Sequence, residues 1–346
     1  MNTIKVNNRL IGTNFPPFVI AEIGINHEGS YEKAIEMVND AYKAGCECVK
    51  FQCHIIDDEM THHAKNTIPA NSDKCIYDII KRCTLTKEET IKIKDYVESL
   101  GMIYMSTPFS RAAADFLEEL DVQIYKIGSG ECNNYPLIRH IAKFKKPIIL
   151  STGMNNIESI TPAVNILREE RVPFALLHCT SMYPTPYNKV RLGAIKTLKN
   201  NFPDAILGLS DHSIGNYTCL ASVALGASVL EKHFTSNKEW DGPDIEISID
   251  PQELKDLILG SKAVYESMGD TKEILEEEQP TIDFAYASVV AIEDINPGDQ
   301  FTYENIWVKR PGTGEILAKD FESILGKIST EYIQKDSQIK KRFVSN

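Results

Sequence analysis

Between residues 18 and 268 the chain alternates short β-rich runs with longer helical patterns, and the alternation repeats eight times. The strand candidates are FVIAEI (18–23), CECVKF (46–51), MIYMST (102–107), QIYKIG (123–128), PIILST (147–152), FALLHC (174–179), AILGLS (205–210) and SVLEKHF (228–234). The segments between them carry helical spacing, as in YEKAIEMVNDAYKAG and QELKDLILGSKAVYESMG. Eight strand–helix units predict a closed parallel (β/α)8 TIM barrel, with a doubly wound sheet as the structural alternative. The barrel domain is expected over residues 1–268. The acidic stretch 269–283, GDTKEILEEEQPTID, reads as a linker. Residues 284–346 carry short β segments and turn signals at Pro297-Gly298 and Pro311-Gly312. They are expected to form a small β-rich domain.

Composition narrows the function classes. The formal net charge of −12 argues against non-specific nucleic-acid binding. It leaves room for a phosphorylated small molecule, provided a few lysines and backbone N–H groups converge on it. The eight cysteines form no CxxC pair and several sit in apolar runs, so they read as small buried side chains in a reducing compartment. No apolar stretch approaches the ~18 residues of a membrane span, and the N-terminus lacks a signal-peptide core. A cytoplasmic location is expected, with no nucleic-acid or membrane partner.

In a barrel of this kind the C-terminal strand ends face the active site. Here they carry polar residues throughout: Glu22, Lys50-Phe51-Gln52, Thr107, Lys126 with Ser129 and Glu131, Ser151, His178 followed by Ser181 and Tyr183, Ser210-Asp211-His212, and Glu231-Lys232-His233. Lys50 and Lys126 interrupt apolar β runs, where a lysine is costly to bury unpaired. With Thr107, Ser129, Ser151 and Ser210 they form a candidate anion pocket, and the glycines around Ser129 allow backbone N–H groups to approach an anion. His212 and His233 close neighbouring strands and are a candidate pair of ligands for one divalent metal with open positions. Mn²⁺ or Mg²⁺ suits a site completed by oxygen, with Zn²⁺ as the alternative. Glu22 and Glu231 are candidates for proton transfer or for pairing with a neighbouring lysine. Asp244, in a turn after the last strand, is a candidate sugar contact. The long segment 53–85, with Pro69 and Asn71, is expected on the catalytic face.

Beyond this anion-plus-metal reading, the chain resembles the N-acetylneuraminate synthase family across essentially its whole length. The matching stretches are AEIGINHEGS, STPFSRAAA, YKIGSGECNNYPLI, PIILSTGMN, HCTSMYPTP, GLSDHS, EKHF, GPDIEIS and WVKRPG. The resemblance implies a barrel followed by an antifreeze-like (SAF) domain, in a homodimer whose small domains are swapped. It implies condensation of phosphoenolpyruvate with N-acetylmannosamine and water, giving N-acetylneuraminate and phosphate. Phosphoenolpyruvate would be held by Lys50, Thr107, Lys126, Ser129, Ser151, Ser181 and Ser210. Gln52, Asn71, Tyr183 and Asp244 would contact the amino sugar, with Phe284 and Arg310 reaching its N-acyl group from the partner's small domain. His212 and His233 would ligate the metal, and Glu22 and Glu231 would handle protons. Phe51, Ser181 and the Glu239-Trp240-Asp241 turn depart from the family's usual residues. They open an alternative: a related nonulosonic acid synthase of legionaminic or pseudaminic type, using a diacetamido-trideoxy hexose. A Schiff-base aldolase using one of the barrel lysines is the more distant enzymatic rival. A ligand-binding small domain on an inert scaffold leaves the polar strand ends without a purpose.

Overall fold

A computed structural model describes residues 3–68, 74–269 and 271–345. The chain divides into two compact units, Met1–Gly269 and Asp270–Asn346. The first begins with an antiparallel hairpin, β1 (Ile4–Val6) and β2 (Arg9–Ile11). Eight parallel strands follow: β3 (Phe18–Gly24), β4 (Cys48–Cys53), β5 (Ile103–Pro108), β6 (Tyr125–Ile127), β7 (Ile148–Ser151), β8 (Phe174–Cys179), β9 (Ile206–Asp211) and β10 (Val229–His233). They close into a barrel in sequence order, with β10 paired to β3. The closed barrel rules out the doubly wound alternative, and every expected strand is present within two residues of its predicted ends.

The two-residue repeat of a strand explains how one sequence builds two different faces. Residues such as Val19, Ala21, Val49, Tyr104, Leu150, Leu176 and Leu230 point outward into the core shared with the surrounding helices. The inward positions low in the barrel are also apolar: Phe18, Ile20, Cys48, Ile103, Met105, Ile149, Leu177, Ile206 and Val229. Ile4, Val6 and Ile11 join that inner cluster from the β1–β2 hairpin, which therefore plugs the barrel floor. The eight-fold strand pattern leaves no place for this hairpin, because its three-residue strands are too short to show a period. Gly208 sits among these inward residues. A Cβ there would collide with the Leu177 side chain and the Val229 carbonyl, so the floor packs only because this position is empty.

Helix starts between the strands are well marked. Thr86 and Glu89 form a capping box on the helix Lys87–Ser99, and Asp250 and Glu253 form another on Pro251–Glu266. Such caps fix where each crossover begins, and so which residues are left for the loops at the barrel mouth.

The second unit pairs β11 (Ser288–Ala291) with β12 (Ile306–Lys309) in antiparallel fashion. Around them Val289, Ile295, Phe301, Ile306, Ile316, Phe321 and Ile339 form a core of their own. The acidic stretch 269–283, read as a linker, is partly helical. It holds a 3-10 turn at Glu276–Glu278 and the start of a helix at Gln279–Ala285. Pro280, which marks a break in sequence, occupies the first turn of that helix, where its missing N–H costs nothing. Among the described residues no helix is long and apolar enough to cross a membrane.

Candidate active site

Two residues above the apolar floor, the inward positions become polar on seven of the eight barrel strands, with Cys179 in that place on β8. Glu22, Lys50, Thr107, Lys126, Ser151, Ser210, Glu231 and His233 line one cavity of about 380 Å³, joined by Gln52, Ser129, Ser181, Tyr183, His212 and Asp244. The barrel residues given a substrate, metal or proton role in sequence thus converge, apart from Asn71, which lies outside the described residues, while His178, Asp211 and Lys232 lie off this cavity. Phe284 and Arg310 belong to the second unit, where the Arg310 guanidinium lies 5.7 Å from the centre of the exposed Phe284 ring.

The lysines are 3% and 2% exposed and are paired rather than free. Lys50 Nζ lies 2.7 Å from Glu22 Oε2 and 3.7 Å from Glu231 Oε2, and donates to Thr107 Oγ1 at 3.1 Å. Lys126 Nζ donates to Ser151 Oγ at 2.8 Å and lies 3.5 Å from Glu231 Oε1. Ser210 Oγ donates to the same Glu231 oxygen at 2.8 Å. The two carboxylates are not equivalent in this setting. Burial raises the Glu22 carboxyl to about 7, and its single close lysine does not offset that, with Glu231 nearby adding to the rise. Burial acts on Glu231 too, but Lys126, Lys50 and the Ser210 hydroxyl outweigh it and hold this carboxyl below its ordinary range. Environments that push two neighbouring acids apart in this way mark one as a fixed charge and the other as a proton carrier. Burial also lowers Lys126, with Glu231 restoring part of its affinity for the proton.

The charges remain incompletely satisfied. Glu22 Oε2 and Glu231 Oε2 are buried without a hydrogen-bond partner, the 2.7 Å approach of Lys50 to Glu22 being off the hydrogen-bonding direction. Buried polar atoms left in this state are uncommon and call for a ligand or a water. Beside them, the Gly153 N–H donates to Ser129 Oγ at 2.9 Å. A Cβ on Gly153 would collide with Ser181, Ser129 and Cys179. Gly153 is therefore required for this corner to exist, and no periodicity argument could have singled it out. Cys179, grouped in sequence with inert buried cysteines, is buried and also lines the cavity, as do Phe109 and Met154. All eight cysteines are free.

His212 and His233 stand with ring centres 5.3 Å apart, and Tyr183 stacks on His212 at 4.2 Å. His212 Nδ1 donates to the Thr180 carbonyl at 3.0 Å, which leaves Nε2 unprotonated in the neutral ring. Nδ1 of His233 is buried without a hydrogen bond, 3.6 Å from Asp244 Oδ2. Burial and the nearby His212 keep His233 neutral, well below the ordinary histidine range. Burial opposes a charge on His212, but Cys179 and the Thr180 carbonyl outweigh it and raise this ring above its ordinary range. Two imidazoles and an adjacent carboxylate oxygen are a donor set that fits a divalent cation once both rings have given up their second proton. Among the described residues no three His, Cys, Asp or Glu side chains gather into a complete metal site. The fit is thus of the open kind, with the protein supplying the histidines. Asp244 itself is pushed up to about 6, mainly by burial. Its loop is tied back to the barrel: Ser248 Oγ donates to the Asp244 carbonyl at 2.6 Å, and Asn26 Nδ2 donates to Ser248 Oγ and to the Phe234 carbonyl.

Comparison with known proteins points to one family. Residues 37–273 match the NeuB family and residues 286–344 match the SAF domain. An N,N'-diacetyllegionaminic acid synthase of Campylobacter jejuni is 38% identical over 340 residues, covering 93% of this chain and 98% of that protein. A human N-acetylneuraminate-9-phosphate synthase is 31% identical over 342 residues, covering 98% of this chain and 95% of its own. Among solved structures, an N-acetylneuraminic acid synthetase of Leptospira borgpetersenii in complex with citrate superposes with a TM-score of 0.73 at 33% identity. That match covers 81% of this chain and 95% of the other.

Proposed function

Since the chain belongs to the NeuB family, the family of sialic and related nonulosonic acid synthases, we propose that it condenses phosphoenolpyruvate with an N-acylated amino sugar and water. The observation that carries this reading is the buried set of two lysines, two carboxylates and three hydroxyls facing two histidines across one cavity. Lys50, Lys126, Thr107, Ser129, Ser151, Ser181 and Ser210 take the anionic groups of phosphoenolpyruvate, whose charge competes with Glu22 for Lys50. Gln52, Asn71, Tyr183 and Asp244 take the open-chain sugar. C3 of phosphoenolpyruvate bonds to the sugar's aldehyde carbon, and the aldehyde oxygen gains a proton. Water then adds to C2, gives up a proton, and phosphate leaves with cleavage of its C–O bond. Glu22, poised near neutrality, accepts the proton from that water, while Glu231 stays ionised and holds both lysines in place. A divalent cation, Mn²⁺ or Mg²⁺, bound by His212 and His233 would supply Lewis-acid polarisation of the aldehyde.

Greater identity to the legionaminic enzyme than to the human one favours a diacetamido-trideoxy hexose over N-acetylmannosamine as acceptor. In the same reading the enzyme is a cytoplasmic homodimer, and Phe284 and Arg310 come from the small unit of a second copy to cover the N-acyl group. The free cysteines suit a reducing compartment. A panel of N-acylated hexoses, each mixed with phosphoenolpyruvate and followed by phosphate release and product mass, tests the reaction and the sugar together. Phosphate released without a sugar, or lysine trapped by borohydride in a metal-free enzyme, would overturn it in favour of a phosphatase or a Schiff-base aldolase.

A further inference from the structure

The inward face of β4 does not stop at the cavity wall. Cys48 packs in the floor, Lys50 and Gln52 line the cavity, and the next residue of the same parity, His54, is buried immediately above them. His54 is held on three sides. Its ring stacks on Phe109 with centres 4.5 Å apart and an interplanar angle of 12°. Nδ1 lies 2.8 Å from Glu59 Oε2, at the end of the short helix Ile56–Glu59, and Nε2 lies 2.9 Å from Gln52 Oε1. At its other end the Gln52 amide donates from Nε2 to Glu22 Oε1 across 3.5 Å.

An amide is ambivalent, and only its partners decide which end it presents. Each ring nitrogen of His54 faces an oxygen, Glu59 Oε2 at Nδ1 and Gln52 Oε1 at Nε2, so the Gln52 contact is made by an N–H donated from Nε2. That pins the Gln52 carbonyl on His54 and turns the N–H2 group toward Glu22 and the cavity. The opposite orientation would set the Gln52 carbonyl against Glu22 Oε1, oxygen to oxygen whenever that carboxyl is ionised. The contact to Glu22 is at the long limit of a hydrogen bond, so the amide hydrogens remain available to a guest.

We infer that His54, braced by Glu59 and Phe109, is a positioning residue that fixes the Gln52 amide as a hydrogen-bond donor to the acceptor sugar. The inference rests on the proposed use of this cavity for a sugar, and it adds a determinant of sugar recognition that never touches the sugar. It also draws the loop after β4 into recognition, because a shift of Glu59 releases His54 and with it the polarity of Gln52.

Two variants of equal polarity separate positioning from mere packing. His54→Gln keeps an N–H donor near the place of Nε2, within reach of Gln52. His54→Asn places its donor near Nδ1, facing Glu59. With phosphoenolpyruvate and the preferred sugar, His54→Asn is expected to lower kcat/KM for the sugar roughly tenfold or more, the scale for losing a buried hydrogen bond. KM for phosphoenolpyruvate stays within about twofold, and His54→Gln recovers most of the loss. In a Gln52→Ala background, His54→Asn costs nothing further. Equal losses in the two variants, a matching rise in KM for phosphoenolpyruvate, or an additive loss in the Gln52→Ala background would each overturn the inference. A readout independent of turnover is ¹⁵N NMR of histidine-labelled protein, with the His54 signals assigned by their loss in His54→Gln. A protonated Nε2, with its resonance moved by Gln52→Ala, supports the positioning role, and an imine-like Nε2 overturns it. A wild-type enzyme silent with every sugar would sink the proposed function, and the NMR result would still decide this inference.

Discussion

Two buried ion networks flank the same two strands, β9 and β10, one inside the barrel and one outside it. Outside, Lys232 is fully buried, lies 2.6 Å from Asp211 Oδ2, and also donates to the Ser213 carbonyl. Asp211 accepts further hydrogen bonds from Ser213 Oγ at 2.9 Å and Thr218 Oγ1 at 2.8 Å. No atom of that pair is left unsatisfied among the described residues. Inside, Lys50, Lys126, Glu22 and Glu231 are buried to a similar depth, yet two carboxylate oxygens have no hydrogen-bond partner. Burial alone does not separate a structural charge from a functional one. Saturation differs between them: the closed network fastens strand ends to the helix Tyr217–Ala224, and the open one is where the proposed guest would bind.

The sharpest way to break this contrast is to remove one lysine from each side. Lys50→Met or Lys126→Met is expected to lower kcat/KM by about 10³ or more, in the range of lost charge stabilisation at a reacting centre. Stability should fall little in Lys50→Met, because Glu22 can take up a proton in place of its lost partner. Lys232→Met should behave in the opposite manner. It strands the Asp211 carboxylate and should cost about 3–5 kcal/mol of stability, read by urea denaturation. If the two variants lose stability equally, saturation is not what distinguishes the networks.

A second test uses pH. The Glu22 carboxyl is raised from 4.5 to about 7 in the folded protein, so the folded state binds this proton more tightly than the unfolded chain does. Its stabilising contribution is complete below about 4.5 and is lost as pH rises through about 7. Glu22→Gln is free of that loss, so relative to wild type it should gain about 1–3 kcal/mol between about pH 5 and pH 8. Activity should run the other way: wild-type kcat/KM rises with pH through an inflection near 7, and the variant lacks that limb. A wild-type profile flat across roughly pH 6–8 would remove Glu22 from proton transfer. The smallest effect belongs to the second unit. Arg310→Ala should raise KM for the sugar by about tenfold, as for a lost hydrogen bond to a charged group, with little change in KM for phosphoenolpyruvate.

The same strand signal carried most of the fold and misled at one residue type. A lysine inside an apolar β run is conspicuous in sequence at positions 50, 126 and 232 alike. Only the parity of the pleat, fixed once the barrel closes, sends the first two inward and the third outward. Parity also explains why the polar strand ends could be read in order and found in one cavity. What could not be read depends on contacts between distant segments: the hairpin under the floor, the collision that demands Gly153, and the packing that puts Cys179 in the cavity wall. His54 lies between these cases. Its distance of two from Gln52 was visible, but its partner Glu59 sits on a helix of four residues, too short to announce itself.

The closure of the barrel has one more consequence. The seam that closes the barrel joins β10 to β3, and in that seam His233 is the register partner of Glu22. The candidate proton carrier and a candidate metal ligand therefore come from opposite ends of the barrel sequence and meet only across that closing junction. A half-made or half-unfolded barrel holds pieces of the pocket and never the whole of it. Chemistry is thereby reserved for molecules that have finished folding, and a chain split between any two strands would regain activity only by reassembling its halves.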